Sequence, residues 1–215
     1  MAQKKPLTTL DSIRKELWRQ GDQLVMHEGR LRKLDDITRV AWRDLDFSAV
    51  SAGKGTTAPD VIQINSGTIY GVGFDGGVTT EQIFGAKEVD HDWYEHTPIE
   101  VHVHWKPSTA DAGNVQWNFT YTLQNGGASD GTGIGDVMPA ETTLSATQTS
   151  SGVAWQEHFL ELGQIDMSEF RIGAQVAWRF YRDPSLDTYP EDAVVDTIGI
   201  HMRVYLFGSR TEGNK

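Results

Sequence analysis

Asn114-Val115-Gln116-Trp117-Asn118-Phe119-Thr120-Tyr121-Thr122-Leu123 is the stretch that decides the fold. Val115, Trp117, Phe119, Tyr121 and Leu123 alternate with Gln116, Asn118, Thr120 and Thr122. Successive side chains of an extended chain point to opposite sides, so one side here is large and apolar and the other polar and uncharged. That is a half-buried strand. The same period of two runs through Ile99, Val101, Val103 and Trp105, with Glu100, His102 and His104 between them. Near the C-terminal end, Ile198, Ile200, Met202, Val204 and Leu206 oppose Thr197, His201, Arg203 and Tyr205. Residues 153–161 and 173–182 read as further strands, the Gly-rich stretch 125–136 as a long turn, and Asp183 to Pro190 as a surface connection. No helical pattern separates the strands. The expectation is a mainly β chain whose residues 61–215 form an antiparallel β-sandwich of the jelly-roll type.

Upstream the pattern changes. Leu10, Ile13, Leu17, Gln20, Leu24, His27, Leu31, Leu34 and Thr38 are spaced alternately three and four apart, a heptad series interrupted by polar Gln20 and His27. Asp11 or Ser12 suits an N-cap, and the flanking positions are densely charged. Gly21 and Gly29 each cost about 1 kcal/mol inside a helix. Residues 1–38 are therefore expected to be an α-helical arm of coiled-coil character. It either oligomerises the chain, with Gln20 and His27 setting register, or packs on its own β domain. Residues 39–60 read as a linker, because Ser48 to Asp60 is rich in small residues and carries no periodicity.

Composition excludes several functions. The 215 residues hold 19 basic and 30 acidic side chains, a formal net charge of −11. Nucleic-acid binding needs clustered Lys and Arg, so it is not expected. There is no cysteine, which removes disulfides, thiolate metal sites and cysteine nucleophiles. No apolar run approaches the roughly 18 residues of a membrane span, and the first residues lack the apolar core of a secretory signal. Phosphate-binding loops, His-Glu-x-x-His, Gly-x-Ser-x-Gly and dinucleotide fingerprints are all missing. No catalytic residues are assigned, and the chain is not expected to be an enzyme.

Glu100, His102 and His104 form the one pattern with chemical potential. Residues two apart on a strand share a face about 6–7 Å apart, and two imidazoles with a carboxylate are a ligand set for iron, manganese or zinc. Cupin enzymes use His-x-His on a strand in this way. Here, however, no Glu follows until Glu141, and the surroundings of His201, the one candidate for a distant ligand, do not match the second cupin motif. Three chains meeting on a three-fold axis would offer an alternative site for one metal ion. A polar sheet face with no metal is the remaining reading. Trp93 and Trp155 are candidates for stacking on sugar rings or for burial in the core.

Several landmarks in order resemble a group of tailed-bacteriophage virion structural proteins. They are Trp42-Arg43-Asp44-Leu45-Asp46-Phe47, the linker ending Ala58-Pro59-Asp60, the strand Val101 to Trp105 with its x-His-x-His-Trp pattern, Asn114 to Tyr121, and the ending Phe207-Gly208-Ser209-Arg210. The group's strand usually reads His-x-His-x-His-Trp or Pro-His-x-His-Trp, whereas Glu100-Val101 stands in the leading portion here. The resemblance begins near residue 40 and implies a β-sandwich on a virus particle, as a head decoration protein, a head or collar fibre, or a tail component. It implies assembly in the bacterial cytoplasm and contact with other virion proteins such as the capsid or the head–tail connector. The resulting expectation is a homotrimeric virion protein that binds rather than catalyses. Its rivals are a receptor- or glycan-binding tail module and a cupin-like metalloprotein using Glu100, His102 and His104.

Overall fold

In the computed structural model, the described residues are 20, 41–77, 81–126 and 137–205. The chain divides into two units, Met1–Val40 and Ala41–Lys215. Of the first, only Gln20 is described, and it is helical. The heptad positions Leu10, Ile13, Leu17, Leu24, His27, Leu31 and Leu34 lie outside the described residues.

Where the sequence of the second unit alternates most clearly, around Val103, Trp117 and Ile200, it becomes strand structure. The strands are β1 (Ala41–Ser48), β2 (Gly53–Lys54), β3 (Asp60–Gln63), β4 (Tyr70–Phe74), β5 (Gln82–Glu88) and β6 (Ile99–Pro107), followed by β7 (Asn114–Gln124), β8 (Thr142–Thr149), β9 (His158–Ile165), β10 (Gln175–Arg182) and β11 (Ala193–Val204). One sheet runs β3-β4-β11-β6-β9, with β1 also on β11; the other runs β2-β5-β10-β7-β8. The named strands pair antiparallel. This is a mainly β protein of two antiparallel sheets.

The sheets meet through the apolar sides read from the sequence. Val101, Val103 and Trp105 of β6 and Val115, Trp117 and Phe119 of β7 are buried in one core with Ile198, Ile200 and Met202 of β11. Trp117 stacks on Phe180 at 5.0 Å and meets the rings of Phe74 and Trp105 at 5.4 and 6.1 Å. Aromatic edges and faces from both sheets thus interlock across the middle.

β11 organises the first sheet. Val195 and the residues before it pair with β4, and Thr197 to Val204 pair with β1, while β6 runs along the opposite edge. A bulge between Val195 and Thr197 marks the exchange of neighbours.

Three expectations need correction. Residues 39–60 are not a linker, because β1, β2 and the first residue of β3 lie within them. Leu45 and Phe47 of β1 turn inward, where Phe47 meets Trp178 at 5.5 Å, and Trp42, Asp44 and Asp46 face outward. The strand expected at 153–161 runs from His158 to Ile165, and β8 was not foreseen, since its Thr and Ser residues alternate only with Leu144, Ala146 and Gln148. Asp183 to Pro190 is no simple surface connection. Arg182 is buried, pairs with Asp187 at 2.6 Å, and donates to the carbonyls of Phe74 (2.9 Å), Glu191 (2.6 Å) and Tyr189.

Candidate functional site

The outward side of the first sheet gathers the titratable residues. Pairing places Glu100 beside His201, His102 beside Gly199 and His104 beside Thr197 across the β6–β11 seam. On the other flank of β6, Glu100 faces Gln164, His102 faces Glu161 and His104 faces Phe159. β1 adds Asp44 opposite His201 and Asp46 opposite Gly199. His102 and His104 of β6 therefore share one patch with His201, which is distant in sequence.

His102 points away from the core yet is only 3% exposed. Gly199 explains this, because a Cβ there would lie 2.2 Å from His102 Nε2. The imidazole fills the notch left by the missing side chain. His201, Phe159 and His104 wall it in, with ring centroids at 4.2, 4.8 and 5.1 Å. Its Nδ1 is buried with no hydrogen-bond partner in the protein. Burial, then the neighbouring His201 and His104, lower its pKa to about 4, against the opposing pull of Asp44 and Asp46. At neutral pH the ring is uncharged.

The other two histidines are held by carboxylates. His201 has Nε2 3.1 Å from Asp44 and Nδ1 3.9 Å from Glu100, whose other oxygen accepts a bond from Gln164 at 3.0 Å. His104 Nδ1 lies 2.8 Å from Glu157. Glu157 also pairs with Lys106, which reaches Asp196 at 2.8 Å. Burial opposes the charge on Lys106, but its bonds to Asp196 and Glu157 outweigh that and raise its pKa. Burial likewise works against ionised Glu157, while Lys106 and His104 together hold its carboxyl below the ordinary range.

In a single chain, Glu100, His102 and His104 each have their own surroundings. Glu100 and His104 are four residues apart on a strand, about 13 Å along it. Each has its own partner on a different side, and among the described residues no group of three or more His, Asp or Glu side chains gathers to hold a metal. His201 does lie against His102, as a ring face and not as a converging nitrogen. His104 is the more open of the two β6 imidazoles, since its side chain is 33% exposed while His102 is covered.

Around the patch lie aromatic groups that the sequence did not single out. Trp42 is 52% exposed and carries the Arg203 guanidinium 5.2 Å above its ring, and Phe159 is 44% exposed. The signals available were Gly199 interrupting a run of larger residues and the outward phase of Trp42. Trp93, considered as a sugar platform, is fully buried, and Trp155 is half-buried.

No protein-family model matches the chain, and no curated protein sequence does. Among solved structures, the chain is similar to dimeric latent PorU from Porphyromonas gingivalis, at 11% identity over 78% of this chain and 13% of that chain, with a TM-score of 0.39. It is similar to a chain of the T13 IBDV viral particle at 12% identity over 76% of this chain and 31% of that chain, with a TM-score of 0.35. A third similarity is to the CBM22-1 xylan-binding domain of Paenibacillus barcinonensis Xyn10C, at 11% identity over 74% of this chain and 92% of that domain, with a TM-score of 0.29. The chain thus spans 13% and 31% of the first two.

Proposed function

We propose that this chain is a non-catalytic structural subunit of a tailed-phage virion. Residues 1–38 associate three copies, and the sandwich presents the β1–β11–β6–β9 face to a neighbouring virion protein such as the capsid or the connector. One observation carries this reading. The Trp42–Phe47 landmark, the x-His-x-His-Trp strand and the final strand, far apart in sequence, are the adjacent strands β1, β6 and β11. With the neighbouring β9, they supply what protein interfaces use, namely exposed Trp42 under Arg203 and exposed Phe159 beside an uncharged imidazole, within a rim of Asp44, Glu100, Glu157 and Lys106. Interface anchors are enriched in Trp and Arg, with charged residues displaced to the edge. Repeated copies on a particle add avidity to a modest single contact.

The test is sedimentation equilibrium of the full chain together with particle incorporation of a Trp42→Ser, Phe159→Ser double variant. A trimeric mass and loss of the double variant from purified particles are expected. A monomer at micromolar concentration rejects the trimer, and full incorporation of the variant rejects this face as the contact.

A further inference from the structure

The second sheet has a different outward side. β7 turns Gln116, Asn118, Thr120 and Thr122 outward, and β8 sets Thr147, Ser145 and Thr143 opposite the first three of these. These side chains bond across the strand pair: Ser145 donates to Asn118 at 2.6 Å, the hydroxyls of Thr120 and Thr143 lie 2.8 Å apart, and Thr147 bonds Gln116. In a chain with 30 acidic and 19 basic residues, this two-strand stripe carries no charge.

The stripe borders a hollow. Asn118, Thr120 and Thr122 are outward in phase yet buried. A cavity of about 330 Å³ opens over β5, β10 and β7, lined by Phe84, Thr120, Thr122, Met138, Glu141 and Arg179 among others. That is the lower end of the range for small-ligand sites, about 300–1,000 Å³. Phe84 and Met138 are exposed at its rim, and Arg179 is held at 2.9 Å by Glu141. One strand step from Thr120, the buried side-chain amide nitrogen of Asn118 has no protein partner.

We propose that this hollow and its stripe bind a neutral oligosaccharide. Each hydroxyl has one donor and two acceptor positions, so a single cross-strand bond leaves capacity for a ligand hydroxyl. Amide and hydroxyl side chains match a ligand that both donates and accepts at every position. Exposed Phe84 offers an apolar face to the C–H side of a sugar ring. The uncharged stripe and the mutual pairing of Arg179 with Glu141 select against phosphorylated or uronic-acid ligands, which would need an unpaired cation where, among the described residues, the one guanidinium lining the hollow is already paired. The site lies on the opposite sheet from the proposed assembly face and is independent of it.

The test is isothermal titration of the full chain with cellohexaose, xylohexaose, maltohexaose, chitohexaose and, as the anionic control, tetragalacturonate. At least one neutral hexasaccharide should bind. Its affinity should fall tenfold or more in both Phe84→Ala and Thr120→Val, and stay unchanged in Trp42→Ser on the other sheet. Arg179→Gln, on an exposed rim position, provides a third hollow variant should Thr120→Val lower the folded fraction. Absence of neutral binding, binding of tetragalacturonate alone, or equal affinity in all folded hollow variants overturns the proposal.

Discussion

His102 and Gly199 form a lock and its recess. Nε2 of the imidazole lies 2.2 Å from the position a Cβ on Gly199 would take, so the ring can be buried on an outward sheet face only because its cross-strand neighbour has no side chain.

Gly199→Ala is therefore expected to lift the ring off β11 and cost about 1–3 kcal/mol, the usual range for overpacking. His102→Ala in the same chain should return much of that loss. Urea midpoints of the two single variants and the double variant give the coupling. Additive effects would mean that the ring does not rest on Gly199.

Stability should depend on pH through the same ring. The folded-state pKa of His102 is lowered to about 4 from an ordinary 6.5, so below 6.5 the unfolded chain takes up a proton that the folded chain refuses. The contribution is complete above pH 6.5, declines as pH falls, and is gone near 4, amounting to roughly 3 kcal/mol at one pKa unit per 1.36 kcal/mol. A His102→Leu variant should show a flatter stability profile between pH 6.5 and 4 in denaturant titrations. An unchanged slope would assign the acid sensitivity to other groups.

Arg182 and Asp187 form an ion pair with side chains only 1% and 2% exposed, and Arg182 also ties down three carbonyls. Removing one partner strands a buried charge, so Asp187→Ala should cost about 3–5 kcal/mol. The double change Arg182→Met, Asp187→Leu should cost less than Asp187→Ala alone, because it leaves no unpaired charge behind. Guanidinium denaturation of the two variants decides between them.

Truncation should locate the start of the folded unit. A chain beginning at Ala41 keeps β1, with Leu45 and Phe47 against the core, and should retain a cooperative thermal transition. A chain beginning at Val61 loses those side chains, each worth about 1.5–3 kcal/mol when fully buried, and uncovers the edge of β11. Calorimetry should show a markedly lower transition or none. Equal transitions would show that β1 adds nothing.

Packing rather than metal is expected to hold the sandwich. Trp117→Ala removes a ring that contacts Phe180, Phe74 and Trp105 and should cost about 3–5 kcal/mol. EDTA should leave the Tm of the parent protein in place. A large drop on chelation would reveal a bound ion stabilising the native state.

What the sequence determined by itself was the phase of its clearest strands. The alternation around Trp117, Val103 and Ile200 specifies which side of β6, β7 and β11 enters the core, because a period of two leaves one apolar side with nowhere else to go. It also placed Glu100, His102 and His104 together on the polar side. It did not disclose β1, whose Leu45 and Phe47 are embedded in charged and small residues, or β8, whose apolar side is only Leu144 and Ala146. Only the tertiary structure decided what surrounds the histidines. Pairing of β6 with β11 and β9 brings His201, Gly199 and Phe159 to His102 from residues that lie 97 to 99 and 57 positions away in the chain. Cross-strand register is a long-range property, fixed by which apolar faces fit one another. That fit is what buries the His102 imidazole as a neutral ring.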